Sequence, residues 1–207
     1  MKEMQGKVVL ITGGASGMGR TAAKKFLENG ASVYLADINE ARLKTVVEGL
    51  SQYGTVKPIV ADVTKVADCE NAMSIIEKDA GKLDVLVTSA GVFKEGPTET
   101  NTEEMWNYMI NVNSKGTFFM CSRAIPLLEK TKGVIVNVNS DAGVGGNPGN
   151  CIYNASKGAV SLITKSLALE LAPKEITVNS ICPCDVNTEM LQGQMRDSGI
   201  GQAYIDG

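Results

Sequence analysis

The stretch Val8-Val9-Leu10-Ile11-Thr12-Gly13-Gly14-Ala15-Ser16-Gly17-Met18-Gly19-Arg20 decides the fold. Its apolar start is short and rich in β-branched residues, which suits a strand buried on both faces. Glycines follow at once. Gly13 can take a tight turn, and a missing side chain at Gly17 or Gly19 lets backbone approach a pyrophosphate or lets a helix pack on the strand. Ser16 and Met18 lie where that helix begins, and its first N–H groups would face an anion. Alone, such glycines suit a plain turn equally well. Their place between a strand and a helix is what favours a dinucleotide.

Outward from this turn the pattern repeats. Ala22, Ala23, Phe26 and Leu27 recur at helical spacing, and Gly30 ends that helix. A second strand over 33–36 runs into Asp37, and Leu43, Val46, Val47 and Leu50 mark the next helix face. Further strands are expected over 56–61, 85–87, 134–138 and 176–181. Helices are expected around Ala72, Ile75 and Ile76, over about 103–130, and over 152–172. Alternating β and α with unalternated apolar strands predicts an α/β fold: a three-layer, doubly wound parallel sheet, covered on both faces, in a single domain.

Composition narrows the chemistry. The 207 residues contain no histidine, so any acid–base work falls to Tyr, Lys, Asp, Glu, Cys or Ser. A net charge of -3 disfavours a general nucleic-acid binder. No apolar run approaches the roughly 20 residues that span a bilayer. The polar start, Met1 to Lys7, is too short for a signal sequence. Five cysteines in no framework spacing then suggest reduced thiols in the cytoplasm. Cys182-Pro183-Cys184 lacks the further ligands that a zinc site needs, so no metal is expected.

Two further positions carry chemistry. A carboxylate at Asp37, closing the second strand, can accept hydrogen bonds from an adenosine ribose and would repel a 2′-phosphate. A helix-cap role is the alternative, since Asn39 and Glu40 follow. Ile38 and Asn39 offer no partner for an extra phosphate, so NAD is expected over NADP, with Arg20 and Arg42 the residues that can upset this. Far downstream, Tyr153 and Lys157 stand four apart on a helix and share a face. A nearby cation lowers the pKa of a phenol and lets it exchange a proton with an alcohol or ketone while hydride moves to or from a nicotinamide. Ser140 can hold the substrate oxygen.

From about Gly6 to Met190 the chain resembles the short-chain dehydrogenase/reductase family, whose Rossmann-type fold it would share. The Thr12–Gly19 turn looks like that family's Thr-Gly-x-x-x-Gly-x-Gly. Asp62-Val63 resembles the pair at the adenine, Thr88-Ser89-Ala90-Gly91 is similar to Asn-Asn-Ala-Gly, and Val112-Asn113 resembles the segment that supplies an asparagine to a Ser-Tyr-Lys-Asn tetrad. Val178-Asn179 and the stretch from Pro183 through Val186 to Thr188 resemble the part that closes over the nicotinamide. The resemblance implies Tyr153 as acid/base, Ser140 as positioner and Lys157 as ribose ligand and pKa-lowering cation. It implies Asn113 as holder of a water that links Lys157 to solvent; a helix kink or local backbone bond is the bland alternative for this residue. It also implies a homodimer or homotetramer acting on a small alcohol or ketone.

Three departures stand out. Ser89 replaces an asparagine. Cys184 replaces a glycine after Pro183 and would be strained if that position needs positive φ. The chain is also several tens of residues short of the family between about 190 and 199, where a substrate lid belongs, although 199–207 resembles the family's last strand. Either the lid is deleted, or the sequence joins segments with the lid left out; the second is preferred. Two other function classes compete with hydride transfer at a secondary alcohol or ketone. One is a dinucleotide-binding sensor without turnover, favoured by a true deletion. The other is a subunit of a hetero-oligomer that has lost its substrate pocket. An acyl-carrier-linked reductase is a variant of the hydride-transfer reading, which a basic patch at the site mouth would support.

Overall fold

The opening apolar run forms strand β1, Val8–Thr12, with all five residues buried. In this structure, a computed structural model describing residues 3–198, twelve more strands and α-helices follow. They are α1 (Gly17–Glu28), β2 (Ser32–Asp37), α2 (Glu40–Leu50), β3 (Val56–Val60), α3 (Val66–Ala80), β4 (Val85–Thr88), α4 (Glu103–Met109), α5 (Thr117–Glu129), β5 (Val134–Val138), α6 (Cys151–Leu171), β6 (Thr177–Ile181) and α7 (Glu189–Ser198). Every paired strand is parallel, in the order β3-β2-β1-β4-β5-β6. This is a Rossmann-type doubly wound sheet, and the strand order reverses between β1 and β4. Thr12 pairs with Ala36 on one side and Thr88 on the other, so the carboxyl ends of the central strands open together at that crevice.

Alternation along β1 divides the core. Val9 and Ile11 join Ala23 and Leu27 of α1 and Leu43, Val46 and Leu50 of α2. Val8 and Leu10 face the other way, with Ala72 and Ile76 of α3, Met120, Ala124 and Leu128 of α5, and Leu167 and Leu171 of α6. Sheet cover is nevertheless incomplete. On the α1–α2 face, the half of the sheet toward β6 opens onto a cleft lined by Val87, Val136, Val138 and Ile181, with Ala22 and Phe26 of α1 as one wall. Among the described residues, cover on both faces is therefore reached only for part of the sheet.

The helical region expected over 103–130 is present and is built of three consecutive pieces. Between α4 and α5 the chain widens into a π-helical segment, Ile110–Gly116. Gly116 lies so close to Val63 that an added Cβ would come within 2.7 Å of its side chain. Residues 199–207, which include the expected last strand, lie outside the described residues.

Candidate active site

At the switch point, one cleft gathers Gly13, Ser16, Gly17, Met18, Asp37, Ile38, Asp62, Val63, Ser89, Ala90, Gly91 and Thr188. Local chemistry explains its shape. Gly13 has φ +66, and a Cβ there would lie 2.7 Å from the amide nitrogen of Ala90. The Thr12 hydroxyl accepts hydrogen bonds from the backbone N–H groups of Ser89 (3.1 Å) and Ala90 (3.2 Å), locking the loop after β4 onto the turn after β1. Gly19 does not line the cleft: a Cβ there would sit 2.4 Å from the Gly13 carbonyl, so its role is helix-to-turn packing. Gly17 does line it, which separates the two roles that sequence left joined.

The Asp37 carboxylate accepts from the Ala15 amide at 3.0 Å and the Asn39 amide at 2.9 Å. The helix-cap alternative is taken by Asn39, whose side chain accepts from Arg42 N at 3.0 Å. Asp37 is thus held at the cleft wall by backbone donors. Asp62 accepts from both the amide and the hydroxyl of Thr64. Burial pushes its pKa up, but those bonds and nearby Lys65 outweigh burial and hold it below the usual carboxylate value.

A second cleft adjoins the first and shares Met18, Thr188 and Met190 with it. Ser140, Tyr153, Pro183 and Val186 line it, with Phe93, Glu95, Asp141, Asn147, Asn150 and Asp185. Among the described residues that line it there is no lysine or arginine. Phe93 meets the Tyr153 ring edge-on at 4.8 Å and fixes its plane. Lys157 is buried, donates to the Val138 carbonyl at 3.0 Å, and lies 5.8 Å from the centre of the Tyr153 ring.

Two expectations about this cleft are corrected. The Tyr153 pKa is raised, not lowered: burial raises it, a hydrogen bond with Ser140 lowers it in part, and the Asp141 charge raises it again. Lys157 has its own pKa lowered by burial to about 8, with partial relief from Cys182. Cys184 is the second correction. The non-glycine residues with positive φ among those described are Lys132 and Glu175, so the strain anticipated at Cys184 is not present.

Asn113 sits inside the π-helical segment with its side chain fully engaged. Its carbonyl oxygen accepts from Val92 N at 2.8 Å, and its amide donates to Val92 O and to Ser156 Oγ, each at 2.9 Å. Both the kink and the backbone bonds of the bland reading are there, but the bonds reach 21 residues away and are not local. Both amide N–H donors are thus committed to structural partners. Asn113 and Lys157 meet at Gly91, where an added Cβ would lie 3.4 Å from Asn113 Oδ1 and 3.7 Å from Lys157 Nζ.

Sequence reasoning missed Glu189. Its carboxylate accepts from the Gly17 amide at 3.0 Å and pairs with Arg20 at 3.1 Å. The Thr188 methyl rests on the same glycine, 3.3 Å from where a Cβ would be. An anion therefore already stands at the N-terminus of α1, where the glycine pattern predicts a pyrophosphate, and Arg20 is committed to it. The region of the anticipated lid shortfall begins here, and up to Ser198 it is helix α7. Phe93, Thr12 and Ser156 were also missed; their signal lies in tertiary neighbours rather than in spacing.

Comparison with known proteins agrees with this geometry. Residues 7–199 match the family model described as short chain dehydrogenase. An uncharacterized oxidoreductase of Thermotoga maritima is 40% identical over 196 residues, which is 94% of this chain and 77% of that protein. A cyclopentanol dehydrogenase of Comamonas sp. is 40% identical over 195 residues, or 93% of this chain and 78% of that protein. The solved structure of an NAD+-bound xylitol dehydrogenase superposes with a TM-score of 0.84 at 30% identity, covering 88% of this chain and 71% of that one.

Proposed function

The chain belongs to the short-chain dehydrogenase/reductase family, and on that premise we propose an NAD(H)-dependent oxidoreductase acting at a secondary alcohol or ketone carbon, with Tyr153 as acid/base. The observation that carries this reading is the junction of the two clefts. Met18, Thr188 and Met190 border both, so a nicotinamide entering from the glycine-rich side would end beside Tyr153 and Ser140.

The residues fit the cofactor. The backbone at Gly13 and Gly17 leaves room that a side chain would fill, and the Gly17 amide already holds an anion. Ser16, Gly17 and Met18 would bind the pyrophosphate, Asp37 the adenosine ribose, Asp62 and Val63 the adenine. Ser89, Ala90 and Gly91 would line the middle, and Lys157 would hold the nicotinamide ribose. Pro183, Val186 and Thr188 would close over the ring. NAD is favoured over NADP because Asp37 presents a carboxylate at the ribose and Arg20 is occupied by Glu189. When bound, the oxidised cofactor supplies the hydride acceptor and a positive charge beside Tyr153. Tyr153 takes the alcohol proton, or returns one to a ketone. Ser140 holds the substrate oxygen, and Lys157 leads the proton on past Asn113 toward solvent.

The cleft chemistry suits a small neutral substrate better than an anionic one, because Glu95 and Asp141 are among its lining residues. A homodimer or homotetramer is in keeping with Leu162 and Leu169, which leave α6 with exposed apolar side chains. No described helix is long and apolar enough to cross a membrane, and all five cysteines are free thiols, in keeping with a reducing cytoplasm. The open sheet face toward β6 supports a single domain that lacks a family segment between about 190 and 199.

Turnover of cyclopentanol and xylitol with NAD and with NADP tests the reading against Tyr153→Phe. The variant is expected to lose at least about a thousandfold in kcat, at the scale of lost acid–base catalysis, while binding NAD nearly as the parent does. Turnover near the parent's rate would remove Tyr153 from the chemistry.

A further inference from the structure

The segment leaving β6 carries Cys182-Pro183-Cys184, whose two thiols the proposed reaction does not use. Its backbone prolongs the sheet. The Asn139 N–H donates to the Ile181 carbonyl at 2.9 Å and the Asp141 N–H to the Pro183 carbonyl at 3.1 Å, which is the two-residue step of a parallel ladder. Side chains alternate between the two faces of such a chain. Ile181 lines the open cleft beside α1, whereas Val178 joins Leu167 and Leu171 of α6 in the core. Cys182 and Cys184 are in step with Val178 and so share the α6 side. Their surroundings agree. Cys184 lines the cleft of Ser140 and Tyr153, and Cys182 is near enough to Lys157 to interact with its charge.

Both thiols are free and exposed. Cys69 and Cys121 are buried, and their sulfurs donate to the Val63 carbonyl and to Asn137 Oδ1. Cys151, the first residue of α6, is the remaining exposed thiol. Spacing decides what the Cys182–Cys184 pair can do. Two rises of about 3.3 Å set their Cα atoms about 6.6 Å apart, at the upper edge of the roughly 4.4–6.8 Å that a disulfide spans. A direct S–S bond would draw the two residues together against the ladder bonds at Ile181 and Pro183, and the proline ring, which fixes φ, resists that turn. A bridging ion asks less, since two metal–sulfur bonds of about 2.3 Å span about 4.6 Å in a line. Among the described residues no three Cys, Asp or Glu side chains come together as a metal set, so a four-coordinate zinc site is not built. Two thiolates without further ligands suit a soft ion that is content with two-coordination, such as Cu(I).

We propose that Cys182 and Cys184 form a two-thiolate site for one soft monovalent cation of the Cu(I) type. Binding forms two metal–sulfur bonds and releases two thiol protons to solvent, and no electron is transferred. The filled site carries one net negative charge, and the nearby Lys157 is the cation that faces it. Because Cys184 lines the cleft of Ser140 and Tyr153, a bound ion would stand at the wall of that cleft and crowd it. The inference uses none of the acid/base roles and holds whether or not the chain turns over an alcohol.

The test is a competition for Cu(I), run without oxygen on the fully reduced full chain. Bicinchoninate holds the metal at the start, and the loss of its coloured complex reports what the protein withdraws. The parent is expected to withdraw one equivalent. Cys182→Ser and Cys184→Ser should each weaken that binding by about a hundredfold or more, because a single thiolate is left. Cys151→Ser should match the parent. Cys182→Ala and Cys184→Ala give the same reading if a serine variant loses the parent's far-ultraviolet circular dichroism. X-ray absorption at the copper edge should count two sulfur neighbours. A parent that withdraws no metal overturns the proposal. So does an equivalent that survives either single substitution or disappears in Cys151→Ser, and so does half an equivalent, which would mean that two chains share one ion. Because the competition needs neither cofactor nor alcohol, an inactive parent would sink the proposed reaction without touching this result.

Discussion

The two ends of the crevice are made of different materials. At the β1–α1 turn the working groups are backbone amides, and the side chains that matter are the missing ones: Gly13 at φ +66 against Ala90, Gly19 against the Gly13 carbonyl, Gly17 open to an anion. At the α6 end the working groups are side chains whose protons are shared among neighbours: Ser140 with Asp141 and Tyr153, Asn113 with Val92 and Ser156, Lys157 with Val138. A backbone site is secured by shape and coincides with stability. A side-chain site of buried ionisable groups is held against stability, because burial disfavours the charged form.

Gly13→Ala breaks the comparison most severely if the backbone half is not as rigid as its contacts suggest. A Cβ at this φ is strained, and at 2.7 Å from backbone rather than from a flexible side chain it has nowhere to go. The two penalties together should destabilise the fold by about 3 kcal/mol or more, a fall of roughly 10 °C in Tm, and abolish NAD binding in titration calorimetry. A variant that melts with the parent and still binds NAD would show that the turn yields.

Lys157→Met should do the opposite. Folding lowers this lysine's pKa from 10.5 to about 8, chiefly by burial. The charged form is thus disfavoured in the native state. The penalty is fully present below pH 8, fades as pH rises from 8 toward 10.5, and is gone above that. An apolar side chain removes the penalty and also the bond to Val138. Chemical denaturation at pH 7 should therefore show a net gain of about 1–3 kcal/mol, shrinking to nothing near pH 10.5, while turnover is lost. Equal destabilisation at both pH values would mean that the lysine supports the fold, and the contrast between the two halves would fail.

This contrast also explains how much could be read without coordinates. The alternation of strands and helices and the glycine-rich turn were legible because periodicity and φ preferences are local. Asp37, Tyr153 and Lys157 were legible because each sits at a fixed offset from such an element. The raised Tyr153 pKa was not, since it depends on Asp141 twelve residues away and on how deeply α6 is buried. A kink at Asn113 could be raised only as an alternative, because the residue's partner, Val92, lies in a loop with no pattern of its own. Phe93 was hidden in the same way.

Glu189 joins the two halves, since it is a side chain seated in the backbone cradle. Its carboxylate holds the Gly17 N–H and Arg20, the groups a pyrophosphate would use, so under the proposed function a bound dinucleotide would displace it. The pair is about half exposed on each side, which limits its strength to that of a surface ion pair, up to about 1 kcal/mol. Glu189→Gln keeps an acceptor for the amide but loses the charge that competes for Arg20. NAD should then bind a few-fold more tightly, and the difference from the parent should shrink with added salt. This effect is the smallest of the three because water and Arg20 can rearrange around either side chain, whereas nothing rearranges around Gly13. Weaker binding in Glu189→Gln would mean that the carboxylate assists the cofactor instead, through Arg20, and that the cradle is completed by α7 rather than blocked by it.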